Sequence, residues 1–150
     1  MTVDFEFGKA PKYTLATIVA KGKWTENMGR PELKKLMDWA AENRVKTGKV
    51  VFRWRADESL EVGLEIRGKA KTGDGIRRRT LPATSVARVT FDPDAVSPRV
   101  VYHGLSDWLR WRKKDKEVKS VGSGREIYRG DPWTNKAAWK NTSVEFAVRR

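Results

Sequence analysis

The stretch richest in usable chemistry is Arg125-Glu126-Ile127-Tyr128-Arg129. Side chains of an extended strand alternate between faces, so Glu126 and Tyr128 share one face and Ile127 takes the other. A carboxylate beside a phenol in an apolar groove suits a cationic or hydrogen-bond-donating ligand, because a desolvated charge is costly until paired and aromatic faces attract cations. The same glutamate is also suited to general acid or base work in a hydrolase, with Tyr128 as hydrogen-bond donor. A structural reading stands beside both: a surface glutamate pairing with Arg125, Arg129 or Arg53 across strands, worth about 0 to 1 kcal/mol. With Ile127 packed under helices alongside Val144, Phe146 and Val148, Glu126 and Tyr128 are expected on the uncovered face of the sheet, lining a groove where two such faces meet.

Other chemistry is scarce. The sequence has no GxSxG elbow, no GxxxxGK[ST] phosphate loop and no HExxH, which removes the common hydrolase, nucleotide-binding and zinc-protease signatures. It has no cysteine, which excludes disulfides, thiolate nucleophiles, iron-sulfur clusters and thiolate zinc sites. The one histidine, His103, rules out a His-rich metal site and reads as a solvent-facing helix residue. No metal and no cofactor are expected. Of seven tryptophans, Trp39, Trp54 and Trp108 are expected in or near the core. Trp24, Trp111, Trp133 and Trp139 fall in loops or off the apolar stripes, and Trp133 and Trp139, just after Tyr128, are candidates for a pocket wall or lid.

The elements that position these residues fall into two passages of the same order. Tyr13 to Ala20 is rich in β-branched residues. Pro31 begins a helix whose apolar stripe is Leu33, Leu36, Met37, Ala40 and Ala41. Val50, Phe52 and Trp54, then Leu60, Val62, Leu64 and Ile66, alternate with polar neighbours as a hairpin with acidic and basic residues on one face. After an exposed connection over 68–80, which includes a Gly73-Asp74-Gly75 turn, Thr84 to Phe91 forms a strand and Ser97-Pro98 starts a helix carrying Val101, Leu105, Trp108, Leu109 and Arg112. Gly122 and Gly124 are expected to stop it, before strands at Arg125 to Arg129 and Thr142 to Val148. The predicted architecture is α+β: a single domain over 1–150, with a duplicated βαββ module (repeats about 12–67 and 81–149), antiparallel sheets, helices on one side and a ligand cleft between the repeats.

Thirty-two basic residues against 19 acidic ones give a net charge of +13. The first 75 residues carry 15 basic and 11 acidic side chains and the second 75 carry 17 and 8, so most of the excess lies in the second half. Arg77-Arg78-Arg79, Arg110-Trp111-Arg112-Lys113-Lys114 and Arg149-Arg150 are its clusters. Each reads either as a solvated face, helped at the helix end by the macrodipole, or as a contact for nucleic acid or a topoisomerase. No apolar run approaches the roughly 18 residues of a membrane span, and the first residues lack a signal-peptide stretch, so a cytoplasmic protein without membrane contact is expected.

Tyr13–Gly22 (YTLATIVAKG), Leu36–Asn43 (LMDWAAEN), Arg125–Pro132 (REIYRGDP) and Thr142–Arg150 (TSVEFAVRR) resemble the GyrI-like small-molecule-binding family, which also supplies the effector-binding domain of bacterial multidrug-responsive transcription activators. The resemblance runs from about Phe7 to Arg149. It implies a duplicated βαββ fold with a cleft between repeats, where a strand glutamate, by position Glu126 with Tyr128 beside it, reaches into an aromatic pocket for lipophilic, often cationic compounds. Relatives include gyrase inhibitors, drug-sequestering proteins and hydrolases of cyclopropane-containing natural products. Where many relatives place a Gly-aromatic pair after the first strand of both repeats, this chain has Gly22-Lys23-Trp24 in the first and Phe91-Asp92-Pro93 in the second. With the effector module filling the sequence, the expectation is a stand-alone binder for effector sensing or drug sequestration, Glu126, Tyr128, Trp133 and Trp139 being its ligand residues. A Glu126-dependent hydrolase and a nucleic-acid- or topoisomerase-interacting basic protein are the alternatives.

Overall fold

A computed structural model describes residues 3–73 and 75–150; Asp74, the centre of the expected Gly73-Asp74-Gly75 turn, lies outside the described residues. The elements are β1 (Glu6–Ala10), β2 (Tyr13–Ala20), α1 (Arg30–Glu42), β3 (Lys46–Trp54), β4 (Leu60–Arg67), β5 (Arg77–Leu81), β6 (Thr84–Phe91), α2 (Pro98–Lys114), β7 (Ser120–Tyr128), α3 (Lys136–Lys140) and β8 (Thr142–Arg149). All strand pairs are antiparallel, in one eight-stranded sheet ordered β1-β6-β8-β7-β3-β4-β2-β5. The expected βαββ order appears twice, as β2-α1-β3-β4 and β6-α2-β7-β8, within this single sheet. Each is preceded by a strand that pairs with the other half: β1 with β6, and β5 with β2. The strand order therefore reads the same when the halves are exchanged.

Two short connections dictate the shape. Pro11-Lys12 joins β1 to β2, and Pro82-Ala83 joins β5 to β6, although each pair lies six strand positions apart in the sheet. Six spacings in a flat sheet cover about 29 Å, whereas a two-residue connection reaches about 11 Å. The sheet must curl. Accordingly the Tyr13 ring of β2 comes within 5.5 Å of the Arg125 guanidinium of β7, three strands away. The inner face holds Tyr13, Leu15, Val51, Leu81 and Ile127, together with ion pairs Arg125–Glu145 at 3.2 Å, Arg53–Glu61 at 2.9 Å and Arg79–Glu61 at 2.7 Å.

Both helices cover the other face. Leu33, Leu36 and Ala40 of α1 pack on Val50, Phe52, Val62 and Leu64, and Val101, Leu105 and Leu109 of α2 pack on Ala87, Val89, Val144 and Val148. Gly29, at the N-cap of α1, has φ +92°, and a Cβ there would meet the Leu60 and Val62 side chains at 3.1 Å, so glycine is needed on both counts. Among the described residues no helix is long and apolar enough to cross a membrane.

Four features differ from expectation. The helix α2 ends at Lys114, with Lys116 at φ +63° turning the chain, while Gly122 and Gly124 lie inside β7 at a register shift rather than terminating the helix. Gly124 is explained by Phe146 on the neighbouring strand, whose ring stands 2.7 Å from where a Cβ would be. β5 forms at the end of the segment read as an exposed connection, and α3 forms between β7 and β8. Trp54 is 38 % exposed instead of buried: it lies on the helix-covered face with Phe52, but at the strand end, beyond the cover of α1.

Candidate functional site

The antiparallel register fixes where Glu126 points. It lies opposite Phe52 of β3 and Val144 of β8, and directly paired residues project to the same face. Both partners belong to the helix-covered face, so Glu126 and Tyr128 lie there, and Ile127 turns to the inner face with Val51. This reverses the sequence-based expectation, in which Ile127 joined Val144, Phe146 and Val148 and the glutamate faced the uncovered side.

The clusters under α1 and α2 leave between them a cleft of about 760 Å³. Its floor is formed by Phe52, Glu126, Tyr128 and Val144, with Tyr102 of α2 closing one side and Trp24, Trp54, Trp133, Phe91 and Trp139 around the walls and mouth. The four residues singled out from sequence, Glu126, Tyr128, Trp133 and Trp139, thus line one space. Trp133 stacks tilted on Phe52 at 5.7 Å and donates its indole N–H to the Glu26 carbonyl at 3.1 Å. Trp139, carried by α3, donates to Asp94 Oδ1 at 3.0 Å. Asn135 Oδ1 accepts the Ala138 amide to cap that short helix, and Thr142 Oγ1 donates to the Trp139 carbonyl at 2.6 Å, which ties α3 to β8. His103 is exposed on α2 and takes no part.

At the floor, the Tyr102 hydroxyl donates to Glu126 Oε1 and the Tyr128 hydroxyl donates to Oε2, each at 2.6 Å. Charge-assisted bonds of this kind are short and roughly twice as strong as neutral ones. Burial first, then the Glu126 charge and its hydrogen bond, push both phenols well above the ordinary tyrosine value, so both keep their protons through neutral pH. A carboxylate has about four lone-pair sites. Two are taken by the tyrosines, and the remaining capacity is open to an incoming donor. No ion pair is formed by Glu126 with a described residue, and the charged side chains lining the cleft are Glu26 and Glu126, with no lysine or arginine among the described lining residues.

Tyr102 was missed in the sequence. The signal was available: with Leu105 and Leu109 it continues the inward stripe of α2, and a buried tyrosine hydroxyl requires a partner.

No protein-family model matches the sequence, and no curated protein is significantly similar to it. The architecture is shared with solved structures. The crystal structure of the EcmrR C-terminal domain superposes with a TM-score of 0.71 at 14 % identity, covering 100 % of this chain and 99 % of that one. The chain has the GyrI-like fold. In the cryo-EM structure of an EcmrR–DNA complex the GyrI-like match has a TM-score of 0.67 at 14 % identity, covering 99 % of this chain and 58 % of the EcmrR chain. A hydrolase from Listeria innocua matches with a TM-score of 0.62 at 11 % identity, over 97 % of this chain and 91 % of that one. At these identities the similarity is one of fold.

Proposed function

We propose that this protein captures lipophilic cationic small molecules non-covalently in the GyrI-like cleft. The observation that carries the reading is the charge of the lining: in a chain with net charge +13, the cleft presents the Glu126 carboxylate among aromatic walls with no basic side chain beside it. The volume lies within the roughly 300 to 1,000 Å³ of small-molecule sites. Aromatic faces supply burial and cation–π attraction, and Glu126 supplies the point charge that orients the ligand. The two tyrosines hold that carboxylate in place without neutralising it.

Turnover by the same glutamate fits less well. A general base must offer a lone pair to the proton of an attacking water, and both carboxylate oxygens of Glu126 already accept short hydrogen bonds from Tyr102 and Tyr128. The test is fluorescence titration with a lipophilic cationic dye of the rhodamine type and with a neutral analogue of the same shape. Glu126→Gln keeps the size and removes the charge, with one of the two tyrosine hydroxyls turning from donor to acceptor of the amide N–H. A charged hydrogen bond is worth about 1.5 to 3 kcal/mol, so the cation should bind about 10- to 150-fold more weakly while the neutral analogue changes little. Equal affinity of wild type and variant for the cation would sink the proposal, and Glu126-dependent product from a panel of electrophilic or ester substrates would replace it with catalysis.

A further inference from the structure

The far end of α2 bears a basic, tryptophan-carrying surface that neither the core nor the cleft uses. The buried stripe of this helix is Val101, Leu105 and Leu109. At about 100° per residue the outward arc of its last turns carries Lys114, Arg110 and Trp111, with Lys113 at the margin toward β7. Trp111 is 56 % exposed, and the Lys114 ammonium lies 5.0 Å from its ring centroid. On the Lys113 flank of the helix a shallow groove of about 230 Å³ runs between α2 and the start of β7, lined by Ser106, Leu109, Arg110, Lys113, Val121 and Phe146. The pairing of Ser120 with Arg149, and the Lys119 amide donating to the Arg149 carbonyl at 2.7 Å, bring the end of β8 to the same place.

Charge accumulates there. Residues 106–121 together with 149–150 carry eight basic and three acidic side chains. Two of the acids are already engaged, Asp107 with Arg110 at 2.9 Å and Glu117 with Arg112 at 3.6 Å. Lys113, Lys114, Lys116, Lys119, Arg149 and Arg150 form no ion pair with a described residue. The macrodipole of α2 accounts for cations in its last turn, Arg112 to Lys114. It does not account for Lys119 just before β7 or Arg149 at the end of β8, nor for an indole held in water beside Lys114; Arg150, past β8, lies over the Phe7 ring at 4.2 Å.

We infer that this surface binds single-stranded nucleic acid, with phosphates on the lysines and arginines and an unpaired base stacked on Trp111. Cationic tracks interleaved with exposed aromatic rings are the physical basis of sequence-tolerant single-strand binding. A duplex offers no free base face, so the indole would be idle. A membrane-lying helix needs a broad apolar face, and the exposed apolar groups on this part of the molecule are scattered: Val100, Trp111 and Val121.

The test is fluorescence anisotropy with a labelled oligodeoxythymidylate of about 15 nucleotides, long enough for one such site. At about 0.1 M salt the oligonucleotide should bind, and engagement of about five phosphates should give a log–log salt slope of about −3 to −4. Trp111→Ala should weaken binding about 5- to 150-fold, the value of one stacked base. A Lys113→Glu/Lys114→Glu variant should abolish it. An Arg77→Glu/Arg78→Glu variant, with the same charge change on β5, should retain most of it, all variants being checked for folding by circular dichroism. Four results would overturn the inference: no binding by the wild type, wild-type affinity in folded Trp111→Ala, equal losses in the two charge-reversed variants, or a Trp111-dependent response to phosphatidylglycerol vesicles without one to the oligonucleotide.

Discussion

The three tyrosines of this chain, Tyr13, Tyr102 and Tyr128, all have phenols pushed above their ordinary value by burial, with nearby carboxylates adding to it. This has a measurable consequence in alkali. Unfolded tyrosines ionise near pH 10, about; above that pH the unfolded chain gives up phenolic protons that the native chain keeps. Stability contributed by a raised group is fully present below the unfolded value and is lost as pH rises beyond it, with a limiting slope of about 1.4 kcal/mol per pH unit per group. For Tyr102 and Tyr128 together the slope is about 3 kcal/mol per unit, large against a total domain stability of about 5 to 15 kcal/mol. Stepwise alkaline titration, following tyrosinate absorbance and far-ultraviolet circular dichroism on the same samples, should show ionisation of this pair coinciding with loss of secondary structure. Glu126→Gln removes the carboxylate but not the burial, so ionisation should then begin at lower pH. Smooth titration of Tyr102 and Tyr128 near the unfolded value, with the dichroism unchanged, would refute the Glu126-centred arrangement.

Other perturbations test the frame around the cleft. The Arg125–Glu145 pair is buried, and Arg125 Nη2 has no hydrogen-bond partner among the described residues; Glu145→Gln alone should cost about 3 to 5 kcal/mol, whereas Arg125→Met/Glu145→Met together should be neutral or stabilising by up to about 4 kcal/mol, measured by urea denaturation. Gly124→Ala drives a methyl group into the Phe146 ring and should cost about 1 to 3 kcal/mol, with Phe146→Leu restoring most of it; an additive double mutant would deny the contact. Gly29→Ala adds a side chain at positive φ against Leu60 and Val62 and should lower the urea midpoint by more than a kcal/mol's worth, about 1 to 3 kcal/mol in all.

Legibility in the sequence followed the physical signal each element carries. β2, β6, α1 and the β3–β4 hairpin have apolar periods long enough to read, and their observed ranges follow those periods. β5 does not: Arg77 to Thr80 are exposed, and an edge strand of that kind is held by main-chain bonds to β2, which leave no pattern in side-chain type. The Glu126–Tyr128 pair was readable because both residues lie on one strand two apart. Which face they take was not, since that depends on register with β3 and β8, and a slip of one residue would send every side chain to the opposite face. Tyr102 completes the site from a helix 24 residues earlier in the chain, a proximity that exists only once α2 has packed on β6 and β8. Trp54 shows the same limit in reverse: its period gave the right face, but not that the cover ends before it.

The net charge looks hostile to a cation-binding cleft, and distance resolves the conflict. Tyr102, at the cleft, and Lys114, in the basic end, are twelve residues apart on α2, about 18 Å along the helix axis. At physiological ionic strength screening acts over about 8 Å, so the basic end contributes little to the potential at Glu126. At contact the balance differs: two unit charges about 4 Å apart interact by about 4 kcal/mol at an effective dielectric of about 20, against about 1 kcal/mol in bulk water. A bound cation therefore responds to the carboxylate beside it, and an oligonucleotide to the lysines and arginines of the far end. The two surfaces should separate under salt. Raising it from about 0.1 to 0.3 M should release most of the oligonucleotide, through counterion release, while the dye, desolvated against Glu126, should lose far less. Parallel salt dependence of the two ligands would show that both report the same surface potential and that the cleft carboxylate does not govern its own ligand.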